Sequence, residues 1–139
     1  MNDFARIVAI FVIIILLIVI VAIILITRGR PSLLDQQKYR AEWLMIENGL
    51  DRDNAATYKF ALLTVDKMLG EVLTELKIDG ENMTEKLKNA KDVGNLRTVL
   101  IAVKLRDQIA DKPDEKINIT IVKRAISAYK KSLKDLGAI

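Results

Sequence analysis

The stretch IVAIFVIIILLIVIVAIILI, residues Ile7 to Ile26, decides how the rest of the chain is organised. All twenty side chains are apolar. At a helical rise of about 1.5 Å per residue they cover roughly 30 Å, the hydrocarbon thickness of a bilayer. Only a helix satisfies every backbone hydrogen bond of a single span in lipid. The sequence therefore predicts one transmembrane helix that binds the lipid bilayer, with residues 1–30 forming the anchor and its flanks.

A cleavable signal peptide is the alternative for this stretch. Its apolar core would be about 7–15 residues long and small residues would follow it, whereas here the run is longer and Thr27-Arg28-Gly29-Arg30 follows. Positive residues favour the cytoplasmic side of a span. Arg28 and Arg30 follow the span, while Arg6 on the other side is offset by Asp3. We therefore expect a single-pass protein of the cell membrane, with the N-terminus outside and residues 31–139 in the cytoplasm.

The 139-residue chain contains neither cysteine nor histidine. Disulfides and thiolate chemistry are therefore excluded, and so are the most frequent general base and metal ligand of proteins. Residues 1–30 have three arginines and one aspartate, and residues 31–139 have 19 basic and 17 acidic side chains, so each part carries a charge of +2. A nearly balanced domain gives no sign of nucleic-acid binding. The sequence predicts no metal site, no cofactor and no small-molecule substrate.

Residues 31–139 have helical periodicity and no segment with the alternation of a half-buried strand. Five helices are predicted, over residues 33–48, 54–77, 84–91, 96–112 and 121–136. The second has the clearest apolar stripe, formed by Ala61, Leu62, Val65, Met68, Leu69, Val72, Leu73 and Leu76. Because the connections are short, neighbouring helices should run antiparallel. The predicted fold is all-α, a four-helix up-down bundle with one extra short helix, preceded by the transmembrane helix.

Start and stop signals support these helix bounds. Gly49 is a stop for the first helix, and Pro113 cannot continue the fourth. Side chains that accept a hydrogen bond from the first turn are the usual N-caps. In chain order, the expected N-caps are Ser32, Asp51 or Asp53, and Asn118 or Thr120.

Two short patterns are reminiscent of known sites but lack the residues that those sites need. Ser127-Ala128-Tyr129-Lys130 matches S-x-x-K, in which a lysine activates a serine nucleophile. The accompanying S-D-N and K-T-G elements do not occur. The segment 51–54 resembles the opening of a calcium loop, yet Ala56 and Leu62 stand where a glycine and a glutamate are required. The sequence therefore predicts no catalytic residue and no enzyme activity.

The last helix is basic on its polar face. Lys116 and a candidate surface of five cations oppose only Asp135; the five are Lys123, Arg124, Lys130, Lys131 and Lys134. One interpretation is a surface for anionic lipid headgroups or nucleic acid. The other, which the sequence favours, is a solvated face whose cations interact with the negative end of the helix dipole. No aromatic residue on this face is available for base stacking, which argues against nucleic acid.

The heptad LRDQIAD, Leu105–Asp111, resembles the signature of HEPN-type helical domains, in which an arginine is followed a few residues later by a histidine. Roughly residues 40–139 are also similar to a group of small membrane-anchored bacterial proteins that carry R-N-R-I-A-H at this place. The resemblance implies a four-helix up-down bundle, often dimeric through the helices that carry the motif. It does not imply ribonuclease action, because Arg106 matches the pattern whereas Asp111 occupies the place of the catalytic histidine.

Arg106 is therefore expected to be structural. Asp111 is placed at the unfavourable end of a helix dipole and four residues after Asp107. Such acids need a cation nearby, so we expect Arg106 to pair with Asp66 of the second helix or with Asp111 of a dimer partner. The predicted function is a membrane-anchored protein-interaction or scaffold module that binds another protein or a second copy. The alternatives are a nucleic-acid-binding or ribonuclease module of HEPN type and a structural component of the cell envelope.

Overall fold

The structure, a computed structural model, describes residues 2–27 and 34–139. These residues separate into two units, an N-terminal helix and a helical domain that begins at Leu34. The described residues form six α-helices and no strand. This confirms the predicted all-helical class. The expected N-cap at Ser32 and the predicted helix start at residue 33 lie outside the described residues.

The first helix, α1, spans Asp3–Thr27 and contains the apolar stretch. Residues Asp3–Ile24 are long and apolar enough to cross a membrane, judged by length and composition. Fourteen of the residues from Ile7 to Ile26 are isoleucine or valine, which are poor helix formers in water. A helix of this composition is favoured where the backbone has no water to bond to, which is the situation inside a bilayer.

Five further helices form the helical domain. They are α2 (Gln36–Asn48), α3 (Ala55–Glu75), α4 (Met83–Asn89), α5 (Leu96–Asp111) and α6 (Ile119–Asp135). Each predicted helix is present, and each end lies within three residues of its predicted position. The short α4 lies between α3 and α5 in the chain and contacts both.

The predicted N-caps of α3 are wrong. Neither Asp51 nor Asp53 caps this helix; Asn54 does, and its Oδ1 accepts a hydrogen bond of 3.0 Å from the Ala56 amide. Asp51 instead accepts a hydrogen bond from the Asp53 amide in the turn before the helix. Aspartate and asparagine both suit the N-cap by type, so residue preference alone cannot choose among acceptors so close together.

The other helices also start at short polar side chains. Asp35 caps α2 and accepts from the Lys38 amide at 3.1 Å. Asn82 caps α4, which begins at Met83, one residue earlier than the start expected at Thr84. Of the two residues proposed for α6, Asn118 is the cap and Thr120 lies within the first turn, donating its amide to the Asn118 side chain at 2.8 Å. The sequence thus predicted a cap at Asn118 or Thr120, and the backbone conformation shows that it is Asn118.

The core of the helical domain is the apolar stripe of α3 packed against its neighbours. Every residue of that predicted stripe is buried except Leu76, which is half-buried at the end of the helix. The apolar side of α6 is likewise buried from Val122 to Leu133. In α2, Tyr39 and Trp43 are the residues that enter the core. Burial of these side chains is the main favourable term for the fold.

Polar contacts at the helix ends show how the helices run. Lys59, near the start of α3, donates to the carbonyls of Pro113 and Glu115, just after the end of α5, at 2.8 and 2.6 Å. Asn95, at the start of α5, donates to the Ala128 carbonyl in the second half of α6 at 3.1 Å. α5 therefore runs antiparallel to both α3 and α6.

α3 occupies the central position, since it contacts α2, α4, α5 and α6. The hydroxyl of Tyr39, near the start of α2, donates to Glu75 at the end of α3, so these two helices are antiparallel. By contrast, α3 and α6 are parallel, because the early residue Lys123 lies over the Tyr58 ring and the later Tyr129 bonds Asp66. This arrangement places the middle of α3 beside α5 and α6 together.

Candidate functional site

A charged cluster joins the middle of α3 to α5 and α6. Arg106 Nε lies 2.9 Å from Asp66 Oδ2, and Arg106 Nη1 lies 2.9 Å from Asp107 Oδ1. Tyr129 donates its hydroxyl to Asp66 Oδ1 at 2.7 Å. The two carboxylate oxygens of Asp66 thus contact two different helices. The structure brings together Arg106 and Asp66, which the sequence named as partners, and adds Tyr129, which it did not.

This cluster is largely withdrawn from water. Asp66 is 9% exposed and Tyr129 is fully buried, while the Arg106 side chain is 27% exposed. Arg106 Nε has no well-aligned hydrogen-bond acceptor, so its contact with Asp66 acts through charge more than through a directed hydrogen bond. Such an interaction is stronger here than at a fully exposed position because fewer water dipoles oppose it.

The surroundings shift the pKa values of two side chains in the cluster. Burial lowers the pKa of Arg106, but the carboxylates of Asp66 and Asp107 outweigh it and raise that pKa. Burial and the Asp66 carboxylate raise the pKa of Tyr129 well above its ordinary value. Near neutral pH the guanidinium stays charged and the phenol stays protonated, so neither exchanges protons as a general acid or base would. The arrangement is suited to joining three helices.

Asp111 does not join this cluster within the chain. It is the last residue of α5 and is exposed. In the part of the chain that the structure describes, its carboxylate forms no ion pair, and the acid that Arg106 contacts on α5 is Asp107. Of the two partners expected for Arg106, Asp66 is the one found in this chain. A contact with Asp111 of a second copy stays a prediction.

The five cations of the candidate basic surface fall into two groups. Lys130 Nζ lies 2.6 Å from Glu47 Oε1 of α2 and 5.1 Å above the Trp43 ring, and it lowers the pKa of Glu47. Lys131 Nζ lies 3.0 Å from Asp135 Oδ2. The Lys130 pair therefore joins α6 to α2, whereas the Lys131 pair lies within α6. The other three are exposed and form no ion pair within residues 2–27 and 34–139; they are Lys123, Arg124 and Lys134.

The patterns rejected on sequence have structural roles. Lys130, which a serine nucleophile at Ser127 would need as its base, is paired with Glu47, and Ser127 is exposed. The Asp51 carboxylate accepts from a backbone amide in a turn. Among the described residues, no group of three or more acidic, histidine or cysteine side chains is arranged to hold a metal ion.

An apolar groove lies between α2 and α3 and encloses about 650 Å³. Its lining includes the buried residues Ala61 and Met68 and the half-buried Ile46. It also includes Met45 and Phe60, which are 74% and 72% exposed. Large apolar side chains exposed together beside a concave surface are typical of interaction sites.

The border of this groove is charged. Glu42, Glu71 and Lys67 line it, and Glu71 is paired with Lys38 at 3.7 Å. Burial and the carboxylates of Glu75, Glu71 and Glu42 raise the pKa of the neighbouring Tyr39, whose hydroxyl donates a hydrogen bond to Glu75 at 2.6 Å. A partner that enters the groove therefore meets an apolar floor beside a charged edge, at which Glu42 forms no ion pair in the described part of the chain.

The sequence analysis did not identify the groove, although one signal was present. Phe60 lies on the same face of α3 as Thr64 and Lys67, at intervals of four and seven residues, opposite the buried stripe. An aromatic residue on the polar face of an amphipathic helix has no role in the core. The second half of the groove, contributed by Met45, depended on how α2 lies against α3.

No protein-family model, curated protein or solved structure matches this chain. The HEPN resemblance therefore stays an expectation from the sequence. The function has to be argued from the groove, the charged cluster and the basic side of α6.

Proposed function

We propose that the chain is a single-pass membrane protein whose cytoplasmic helical domain binds an amphipathic helix of another protein in the groove between α2 and α3. In this proposal α1 is the anchor, and the arginines that follow it keep the domain inside the cell. The alternating directions of α2, α3, α5 and α6 support a four-helix up-down bundle with α4 as the extra short helix. The domain has a binding role and no catalytic one.

The observation that carries this proposal is the exposure of two large apolar side chains, Met45 and Phe60, at a mostly apolar groove. Leaving such side chains in water gives up roughly 25 cal/mol for each Å² of apolar surface that could be buried. A helix laid in a groove buries them through residues spaced three and four apart along its own apolar face. Because Glu42 borders the groove and forms no ion pair in the described part of the chain, we expect a basic residue beside that apolar face.

Site-specific photocrosslinking in intact membranes tests the proposal. A benzophenone amino acid placed at Phe60 keeps an aromatic ring at the groove. The matched control carries the same amino acid at Ile101 of α5, which is 61% exposed and does not line the groove. We expect a discrete adduct at position 60, heavier than the chain by the mass of another protein, and none at position 101.

A second substitution links the adduct to the groove. Met45→Glu places a charge in the apolar lining and should reduce the adduct at position 60 at least tenfold. Ile121→Glu, at an exposed position of α6, should leave the adduct unchanged. An adduct at twice the mass of the chain would assign the groove to self-association. Equal crosslinking at positions 60 and 101, or an adduct that Met45→Glu does not weaken, would contradict a docking role for the groove.

A further inference from the structure

We infer that the exposed side of α6 binds the surface of a bilayer that contains anionic phospholipids. The inference rests on the membrane anchoring proposed above and is independent of the groove between α2 and α3. It concerns three cations that form no ion pair in the described part of the chain, Lys123, Arg124 and Lys134, and a shallow depression lined by the first two.

The charge on this side of α6 is uncompensated. Lys130 is paired with Glu47 and Lys131 with Asp135. Asp135 is further held by the Gly94 amide, which donates to its Oδ2 at 3.0 Å. These two acids are thus already engaged, while Lys123 and Arg124 are exposed on one turn of α6 and Lys134 is exposed about three turns later. Several basic side chains on one helix face attract an anionic lipid surface additively.

The depression supplies groups that bind phosphate. It encloses about 490 Å³ between the start of α5 and the outer side of α6, and its lining includes Thr98, Thr120, Lys123, Arg124, Ser127 and Lys131. Lys123, Arg124 and the three hydroxyls are able to donate hydrogen bonds to phosphate oxygens, and a guanidinium can bind two of these oxygens at once. These side chains are exposed, so a headgroup reaches them without any rearrangement of the domain.

A membrane fits this surface better than a nucleic acid does. No aromatic residue lines the depression, and single-stranded nucleic acids are usually held by stacking on aromatic rings as well as by charge. The same chain also carries α1, whose length and composition suit a membrane. Once α1 is inserted, lipid headgroups are present at a high effective concentration, so modest attraction is enough to occupy the surface.

The test uses the full chain in lipid nanodiscs. Because the chain has no cysteine, Ser127→Cys provides one site for a fluorophore in the depression, and Lys88→Cys provides a control on α4, which does not contact α6 in the described part of the chain. Quenching by spin-labelled headgroups is compared between phosphatidylcholine discs and discs that also contain phosphatidylserine. We expect quenching at position 127 that requires phosphatidylserine, and at position 88 no dependence on it.

Charge reversal and added salt test whether electrostatic attraction causes the quenching. Arg124→Glu should lower the ratio of contacting to free domain about fivefold or more, because each cation near an anionic surface contributes about 1 kcal/mol. Lys88→Glu should not change that ratio. Raising the salt to about 1 M, where the screening length is about 3 Å, should abolish the quenching.

Three results would overturn the inference. Quenching at position 127 that is equal in both kinds of disc would show contact without recognition of anionic lipid. Absence of quenching in both would leave the basic side as a solvated face. A response of the probe to RNA in phosphatidylcholine discs that exceeds the response to phosphatidylserine would assign the surface to nucleic acid. A chain that fails to enter discs at all contradicts the proposed anchoring instead.

Discussion

Replacing Arg106 with alanine tests whether the charged cluster stabilises the domain. Of the two partners that the structure describes for Asp66, this variant keeps the Tyr129 hydroxyl. Removing one partner of a fully buried pair costs about 3–5 kcal/mol, whereas exposed pairs contribute about 0.2–1 kcal/mol. The Arg106 and Asp66 side chains are 27% and 13% exposed, which places the pair between these limits. We expect Arg106→Ala to lower the free energy of unfolding by about 1–3 kcal/mol.

Urea and thermal unfolding of residues 34–139, followed by circular dichroism, measure this loss. At about 4 °C per kcal/mol for a domain of this size, the midpoint should fall by roughly 4–12 °C. Arg97→Ala is the matched control, because Arg97 is exposed on the same helix and forms no ion pair in the described part of the chain. A double-mutant cycle with Asp66→Asn should give a coupling energy of about 1–2 kcal/mol.

The stability reasoning is refuted by a coupling energy near zero or by equal effects of Arg106→Ala and Arg97→Ala. Either result would show that the contact does not stabilise the fold.

The absence of catalysis is tested separately. RNA incubated with the purified domain should stay intact, since neither Arg106 nor Tyr129 exchanges a proton near neutral pH. Cleavage that disappears in Arg106→Ala would restore the ribonuclease alternative.

Further predictions concern the core, alkaline pH and topology. Val72→Asp places a carboxylate at a fully buried position and should lower the free energy of unfolding by more than about 3 kcal/mol. Ser127→Asp, at an exposed position of α6, should change it by less than about 0.5 kcal/mol. Equal melting of the two variants would contradict the assigned core face. The raised pKa of Tyr129 gives stability that is fully present below about pH 10, the ordinary tyrosine pKa, and is lost as the pH rises above it. The free energy of unfolding of the wild type should therefore fall more between pH 9 and pH 11 (roughly one unit either side of that pKa) than that of Tyr129→Phe. An equal fall in both proteins would argue against burial of an ionisable phenol. A fluorescent protein fused after Ile139 should fluoresce, as expected on the cytoplasmic side. Activity of alkaline phosphatase fused at the same place would show the opposite orientation.

The elements that the sequence predicted well are those whose signal lies within one helix. The apolar run from Ile7 to Ile26 indicates α1 by composition alone, because a helix that is apolar on all sides is stable only where it is buried, in a bilayer or in the core of a large protein. The stripe of α3 indicates which side of that helix is buried, because residues three and four apart share a face. The stop before Pro113 follows from backbone sterics. Gly49 is the C-cap of α2, as expected, but with φ −82°, a conformation that does not require glycine. These signals are local, so they hold whatever the helices pack against.

The candidate sites, in contrast, depend on how the helices are packed. Asp66 and Tyr129 are 63 residues apart in the chain, and their contact requires α3 and α6 to be parallel with the right rotation about their axes. The sequence marked five equivalent cations on α6, yet the position of Glu47 on α2 is what distinguishes Lys130 from Arg124. The groove at Phe60 exists because α2 covers only part of α3. Rotation and spacing between helices result from the fit of all their side chains together, so no single segment of the sequence contains them.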